Sequence, residues 1–214
     1  ITPELAALVP KPRSAGNTLE EKEFPSGIWL FKWASSASGL RSSSIRFLVM
    51  DEIDEYADEV GEQGSPEVLA RKRTNSFGAR KKIYVPSTPT VEGKSRIASL
   101  YEDSDQRRYY MPAPCCGEMI TFEFKNLKWP HGQPELAHYK CQACGGKIEH
   151  WQKTEMMERG EWVAENPDNT KRRGYHLSSL YSPVGWQSWG EIAQEWEEAQ
   201  GNTDKLKALS LIHI

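Results

Sequence analysis

The sequence predicts an α/β protein with a parallel sheet, helices on both of its faces, and a small cysteine-bearing β-hairpin insertion. Three observations carry this reading. An unbroken apolar run, Phe47 to Met50, stops at Asp51-Glu52; strands covered on both faces, as in parallel sheets, read this way. Strand and helix signals then alternate to about residue 101, which is the α/β pattern. After Asp105 the texture changes to short stretches with Gly turns, and all four cysteines lie there, as Cys115-Cys116 and Cys141-x-x-Cys144.

Each element follows from local signals. Residues 10–27, rich in Pro, Lys, Glu and Gly, read as a loop. "GIWLFKWA" (27–34) reads as a strand. The six serines of "SSASGLRSSS" (35–44) suit either a flexible linker or a short helix on a polar loop. Arg46 to Met50 is the second strand. Ser65-Pro66-Glu67 starts a helix, with Ser as cap and Pro at the first helical position, running to about Phe77. Ile83 to Val85 is a third strand, ended by Pro86 and Pro89. Ser95 caps a further helix that puts Ile97, Leu100 and Tyr101 on one face. Ile120, Phe122 and Phe124 alternate as in a half-buried strand. Ser188 and Glu191 form a capping box, and Trp189, Ile192, Ala193 and Trp196 make the core-facing stripe of a last helix.

Composition narrows the function classes. A chain of 214 residues holds one domain with a real core, with room for a small appendage. The net charge of -3 supplies no global basic field to attract nucleic acid. DNA contacts would have to come from local runs such as Arg71-Lys72-Arg73, Arg80-Lys81-Lys82 or Lys171-Arg172-Arg173, which equally suit solvated faces. No window is long and apolar enough to span a membrane. The chain opens at Ile1 without a signal peptide and reads as a fragment. In a non-secreted chain, its cysteine spacing favours metal over disulfides.

The chemistry concentrates in two stretches. In "RFLVMDEIDEY", a hydrophobic strand ends in consecutive acids, the form in which ATPases of the P-loop class present their second motif. There Asp51 would hold a Mg²⁺ shell, and Glu52 would polarise the attacking water as general base. A core strand ending in an ordinary acidic turn is the plain alternative. The second stretch, Ser87-Thr88-Pro89-Thr90, follows Ile83–Val85. A parallel pairing of the two strands would bring both stretches to one carboxyl edge, where open α/β sheets bind ligands. Gly93-Lys94-Ser95 mimics the end of a phosphate loop. The full motif needs a glycine where Thr88 stands, and Pro89 after it has no N–H to offer a phosphate.

Taken together, "RFLVMDEIDEY", "GSPEVLARKRTNSF", "KKIYVPSTPTVEGKSRI", "YEDSDQRRYYMPAP", "YKCQACGGKIE" and "RGYHLSSLYSPVGWQSWGEIAQEWEEA" resemble, in order and over roughly residues 10–208, the large terminase subunit of tailed phages, GpA type. The resemblance implies a partial P-loop-type sheet within an ATP- and Mg²⁺-dependent motor that packages double-stranded viral DNA. It implies as partners the small terminase subunit, the portal protein of the prohead and further copies of the chain, in the host cytoplasm, with no membrane. Carried over by position, Asp51 is the Mg²⁺-associated acid, Glu52 the catalytic base, and Ser87-Thr88-Pro89 the coupling motif. Arg71 and Arg73 are candidates for an arginine finger. The domains implied are the later part of the ATPase (1–110), a zinc-ribbon-like insertion (111–150), a connection toward the nuclease (151–208), and a tail (209–214) unlike the family. The phosphate loop is expected upstream and the nuclease acids downstream, so the fragment alone is expected to be inactive.

The cysteines depart from the family. The first knuckle is usually Cys-Pro-x-Cys-Gly, and here "PAPCCG" puts Ala113 where the first Cys belongs. Cys116, Cys141 and Cys144 remain zinc ligands; the fourth falls to Cys115, His131, His138 or His150. Two rival readings stay open: a superfamily 2 helicase, from "DEID" and "STPT", and a non-catalytic zinc-ribbon module that binds nucleic acid.

Overall fold

The computed structural model describes residues 2–8, 16–90, 93–203, 205, 206 and 209. The tail at 209–214 lies outside these apart from Leu209. The chain forms two compact units, residues 1–87 and 88–214.

In the first unit a short helix, α1 (Pro3–Ala6), precedes a hairpin of β1 (Glu21–Phe24) and β2 (Gly27–Leu30), paired antiparallel. The stretch expected to be loop thus contributes β1, and the strand expected over 27–34 stops at Leu30. Residues 39–41 form a single 3-10 turn, the helical alternative for the serine-rich stretch. β3 (Phe47–Val49) pairs parallel with β4 (Lys82–Tyr84), with Leu48 beside Ile83. The crossover carries α2 (Pro66–Lys72) and then a 3-10 stretch, Asn75–Arg80. The helix ends before Phe77, and the Ser65 side chain makes no capping bond.

One expectation fails here. The apolar run predicted cover on both faces of β3. Instead the strand alternates: Leu48 is buried, while Phe47 and Val49 are 59% and 63% exposed, as is Tyr84 of β4 at 64%. A two-stranded sheet crossed by one short helix buries a single face. Met50, Ile53, Val60, Leu69 and Ala70 supply the rest of this unit's small apolar core among the described residues.

The second unit begins with α3 (Arg96–Glu102), where the Ser95 hydroxyl accepts the Ala98 N–H at 3.1 Å. Ser95 is therefore the helix cap that the sequence predicts. β5 (Arg107–Pro112) is the hub. It pairs with β6 (Met119–Ile120) and, along its other stretch, with β10 (Glu161–Ala164) antiparallel and β11 (Tyr175–His176) parallel. A separate antiparallel sheet joins β7 (Leu127–Lys128), β8 (His138–Lys140) and β9 (Lys147–Ile148).

Two helices close this unit. α4 (Lys153–Glu158) buries Met156, and α5 (Trp189–Ala199) buries Trp189, Ile192 and Ala193 completely. The capping box forms as read: Ser188 Oγ accepts Glu191 N–H at 3.1 Å, and Glu191 accepts Ser188 N–H at 2.6 Å. The aromatic core rests on Phe122, whose ring meets those of Tyr139, Tyr181 and Trp189 at 4.8, 5.0 and 5.2 Å. The expected long strand through 120–124 is shorter. β6 ends at Ile120, and Phe124 opens a 3-10 turn instead.

Candidate functional site

The acidic edge is built by extending the β3–β4 ladder past both strands. Met50 N–H donates to Tyr84 O and Glu52 N–H to Pro86 O, each at 3.0 Å. The parallel pairing therefore sets Asp51-Glu52 alongside Pro86-Ser87, at the carboxyl ends of both strands. Glu52 then adopts a left-handed conformation, φ 49° and ψ 55°. This is uncommon for a residue with a Cβ and marks a constrained turn. The reversal enters a 3-10 turn, Ile53–Glu55, anchored by the fully buried Ile53.

Ser87 ties the edge together. Its hydroxyl donates to Glu52 Oε2 at 3.3 Å and accepts the Asp54 N–H at 3.3 Å. One side chain just beyond β4 thus braces both the carboxylate and the turn that follows β3. Asp51 and Glu52 remain exposed. Desolvation, with the charge of Asp51 second, raises the Tyr56 phenol above its ordinary range. An exposed carboxylate at a strand end suits Mg²⁺, which is held through one or two carboxylates together with substrate phosphates and waters.

The remaining candidates lie differently. Thr88 and Pro89 open the second unit, so the proposed coupling stretch is the connection between units. Both arginines are engaged on or beside α2. Arg71 Nε pairs with Glu67 at 2.7 Å, and Arg73 Nη1 donates to the Arg41 carbonyl at 3.3 Å.

The cysteines come together. The four sulfurs of Cys115, Cys116, Cys141 and Cys144 lie within 4.8 Å of one another, with Cys115–Cys144 at 3.2 Å and Cys116–Cys141 at 3.9 Å. A tetrahedral zinc–thiolate site, with Zn–S about 2.3 Å, has sulfur–sulfur edges of about 3.8 Å; the set fits.

Two matching turns deliver these thiols. In the second, Cys141 N–H donates to Gly146 O and Gly145 N–H to Cys141 O, each at 2.9 Å; in the first, Ala113 N–H donates to Glu118 O at 2.8 Å and Gly117 N–H to Ala113 O at 2.7 Å. Ala113 occupies the backbone position of Cys141, and Cys115 brings the fourth sulfur from two residues further on. The histidines are placed otherwise: His131 faces Glu197 at 3.6 Å, His138 Nδ1 sits 3.1 Å from Leu136 O, and His150 Nδ1 accepts Trp189 N–H at 3.5 Å.

Electrostatics divide the thiols. The Gly146 N–H on its sulfur, helped by Cys115, lowers Cys144 to about 7, while desolvation and the neighbouring thiols push Cys115 up to about 12. Gly146 also has a steric role the sequence reading missed. A Cβ there would lie 3.0 Å from Cys115 Sγ and 3.2 Å from Cys144 Sγ. The Gly145-Gly146 pair was the available signal.

Comparison with known proteins divides the chain at a different place from the two compact units. Residues 1–162 match the family model of the phage terminase large subunit gpA, ATPase domain, and residues 172–211 match that of the terminase large subunit gpA, endonuclease domain. The chain is 29% identical over 218 residues to the large terminase subunit of Enterobacteria phage P21, covering 89% of this chain and 33% of that protein. It is 27% identical over 235 residues to the large terminase subunit of Escherichia phage lambda, covering 96% of this chain and 36% of that protein. It thus spans about a third of the length of these curated relatives. No solved structure matches significantly. Neither the helicase nor the non-catalytic module is favoured by these matches.

Proposed function

The chain belongs to the GpA-type family of phage terminase large subunits, and on that premise we propose that it forms part of an ATP-driven motor moving double-stranded viral DNA into a prohead. The observation that carries the reading is the Glu52–Ser87 bridge at the shared carboxyl edge of β3 and β4. An acid pair here meets a hydroxyl residue that belongs to the connection leading out of the unit. That is the arrangement a hydrolysis-coupled device needs.

In this reading Glu52 orients and deprotonates the attacking water, and Asp51 holds the magnesium shell. Magnesium, when bound, neutralises the charge that builds on the transferred phosphate. The phosphates are held by a Gly-rich loop other than Gly93-Lys94-Ser95, in the P-loop-type arrangement the family resemblance implies. Ser87 exchanges its bond to Glu52 when the γ-phosphate leaves, and Thr88-Pro89 carries the change onward. Arg71 and Arg73 sit on the crossover between the two motifs, and release of Arg71 from Glu67 would free it to contact phosphate.

The cysteine cluster supports a zinc site with Cys115 as the relocated fourth ligand. Zinc, when bound, cross-links the two knuckles. The division by function assigns 1–110 to the ATPase and 111–150 to the zinc insertion. Residues 151–208 lead into the nuclease, whose family match begins at 172. Small subunit, portal and sister copies are the partners this function requires. The test is ATP hydrolysis in the assembled motor: Ser87→Ala is expected to lower DNA-coupled turnover while nucleotide binding persists. Unchanged coupling would remove Ser87 from the mechanism.

A further inference from the structure

A cavity of about 330 Å³ opens in the second unit, with none of the four cysteines in its lining. Its walls come from two stretches that match different family models: residues 108–125 from the ATPase match and 176–181 from the endonuclease match. β5 brings them together, because His176 of β11 pairs beside Arg108.

The lining is chemically pointed. Ser178 is 8% exposed and lines the cavity, and its hydroxyl has no hydrogen-bond partner among the described residues. Buried hydroxyls without partners are costly and rare, and they call for a ligand or water. Arg108 lines the same cavity. Its Nε sits 3.3 Å from Glu165 Oε2 yet out of line for a hydrogen bond, and its Nη1 is 3.9 Å from Glu123. Lys125, 76% exposed in its side chain, stands on the lining and is paired with Glu123 at 2.7 Å. Phe124, whose ring also packs on Trp196 at 4.7 Å, and His176 contribute aromatic wall, with Thr121, Phe122, Glu123 and Tyr181 making up the rest.

Flat aromatic walls accept bases of any sequence by stacking, and lysine and arginine accept the phosphate between them. The volume is at the small end of ligand pockets: it suits one nucleotide and has no room for a base pair. A base held in a duplex cannot reach such a cavity. We infer that this cavity takes one unpaired nucleotide of a DNA strand, with its base on Phe124 and His176, its phosphate at Lys125 and Arg108, and a polar edge on Ser178. The site goes beyond the motor reading: it is a place where the joint between the two matched segments holds a single strand.

Fluorescence anisotropy of the whole chain with a labelled short oligodeoxythymidylate, and with a duplex of equal length, tests this. The single strand should bind at least tenfold tighter than the duplex, and thymidine monophosphate should compete. Lys125→Glu should weaken binding about tenfold and Ser178→Ala about threefold, without changing the melting temperature in the Lys125 case. The inference is overturned by no binding, by equal affinity for the duplex, by failure of the mononucleotide to compete, or by Lys125→Glu and Ser178→Ala both binding as the parent does.

Discussion

Lys153 shows what a single side chain can set in this fold. It is fully buried on α4, its ammonium donating to Leu180 O at 3.3 Å and lying 5.5 Å from the Trp189 ring. Desolvation lowers it from 10.5 to about 8. Between those values the unfolded chain holds a proton that the folded chain has released, so stability rises with pH across that window and levels off above it. Lys153→Met removes the cost of burying the charge. Leu180 O keeps its bond from Trp189 Nε1 at 3.1 Å. The variant should therefore gain about 1–3 kcal/mol at neutral pH and lose the alkaline rise in stability, as read by denaturant melts across pH. Nothing in the sequence announces this lysine, which is one charged residue among many in "EHWQKTEMMERG". Asp51 and Glu52 were legible for the opposite reason: consecutive acids after an apolar strand form a local pattern. The left-handed turn at Glu52 and its bridge to Ser87 needed two strands that sit 35 positions apart.

At the scale of elements, local chemistry was read most faithfully where it is self-contained. The capping box of α5 depends on two residues three apart, and it forms. Ser188→Ala should cost about 1 kcal/mol in a thermal or denaturant melt. The parallel pairing of β3 and β4 also followed from the sequence. The double cover of β3 did not, because the apolar run records hydrophobicity and says nothing of how many helices stand over the sheet. β1 was missed since its residues, Glu21–Phe24, are mostly charged and only half-buried. The cysteine turns are the sharpest element-level test. Cys115→Ser should lower zinc content per chain well below one, while adding Ala113→Cys should restore it by returning the ligand to the position matching Cys141. Equal zinc content in all three proteins would remove Cys115 from the site.

For the whole molecule, the two compact units part between Ser87 and Thr88, inside the stretch read as the coupling motif. Sequence patterns mark motifs well and compact boundaries poorly, since a boundary depends on contacts distant in sequence. β5 illustrates this: residues 107–112 lie at the edge of the region read as ATPase, yet pair with strands up to Tyr175–His176. The central claim is that the edge formed by β3 and β4 is the hydrolytic one. Steady-state ATP hydrolysis by the DNA-engaged motor carrying Glu52→Gln tests it most directly. Removing a general base should lower turnover by about 10²–10⁴-fold, with nucleotide affinity retained. Turnover within twofold of the parent would contradict the assignment of Glu52 and, with it, the reading of this edge as the site of catalysis.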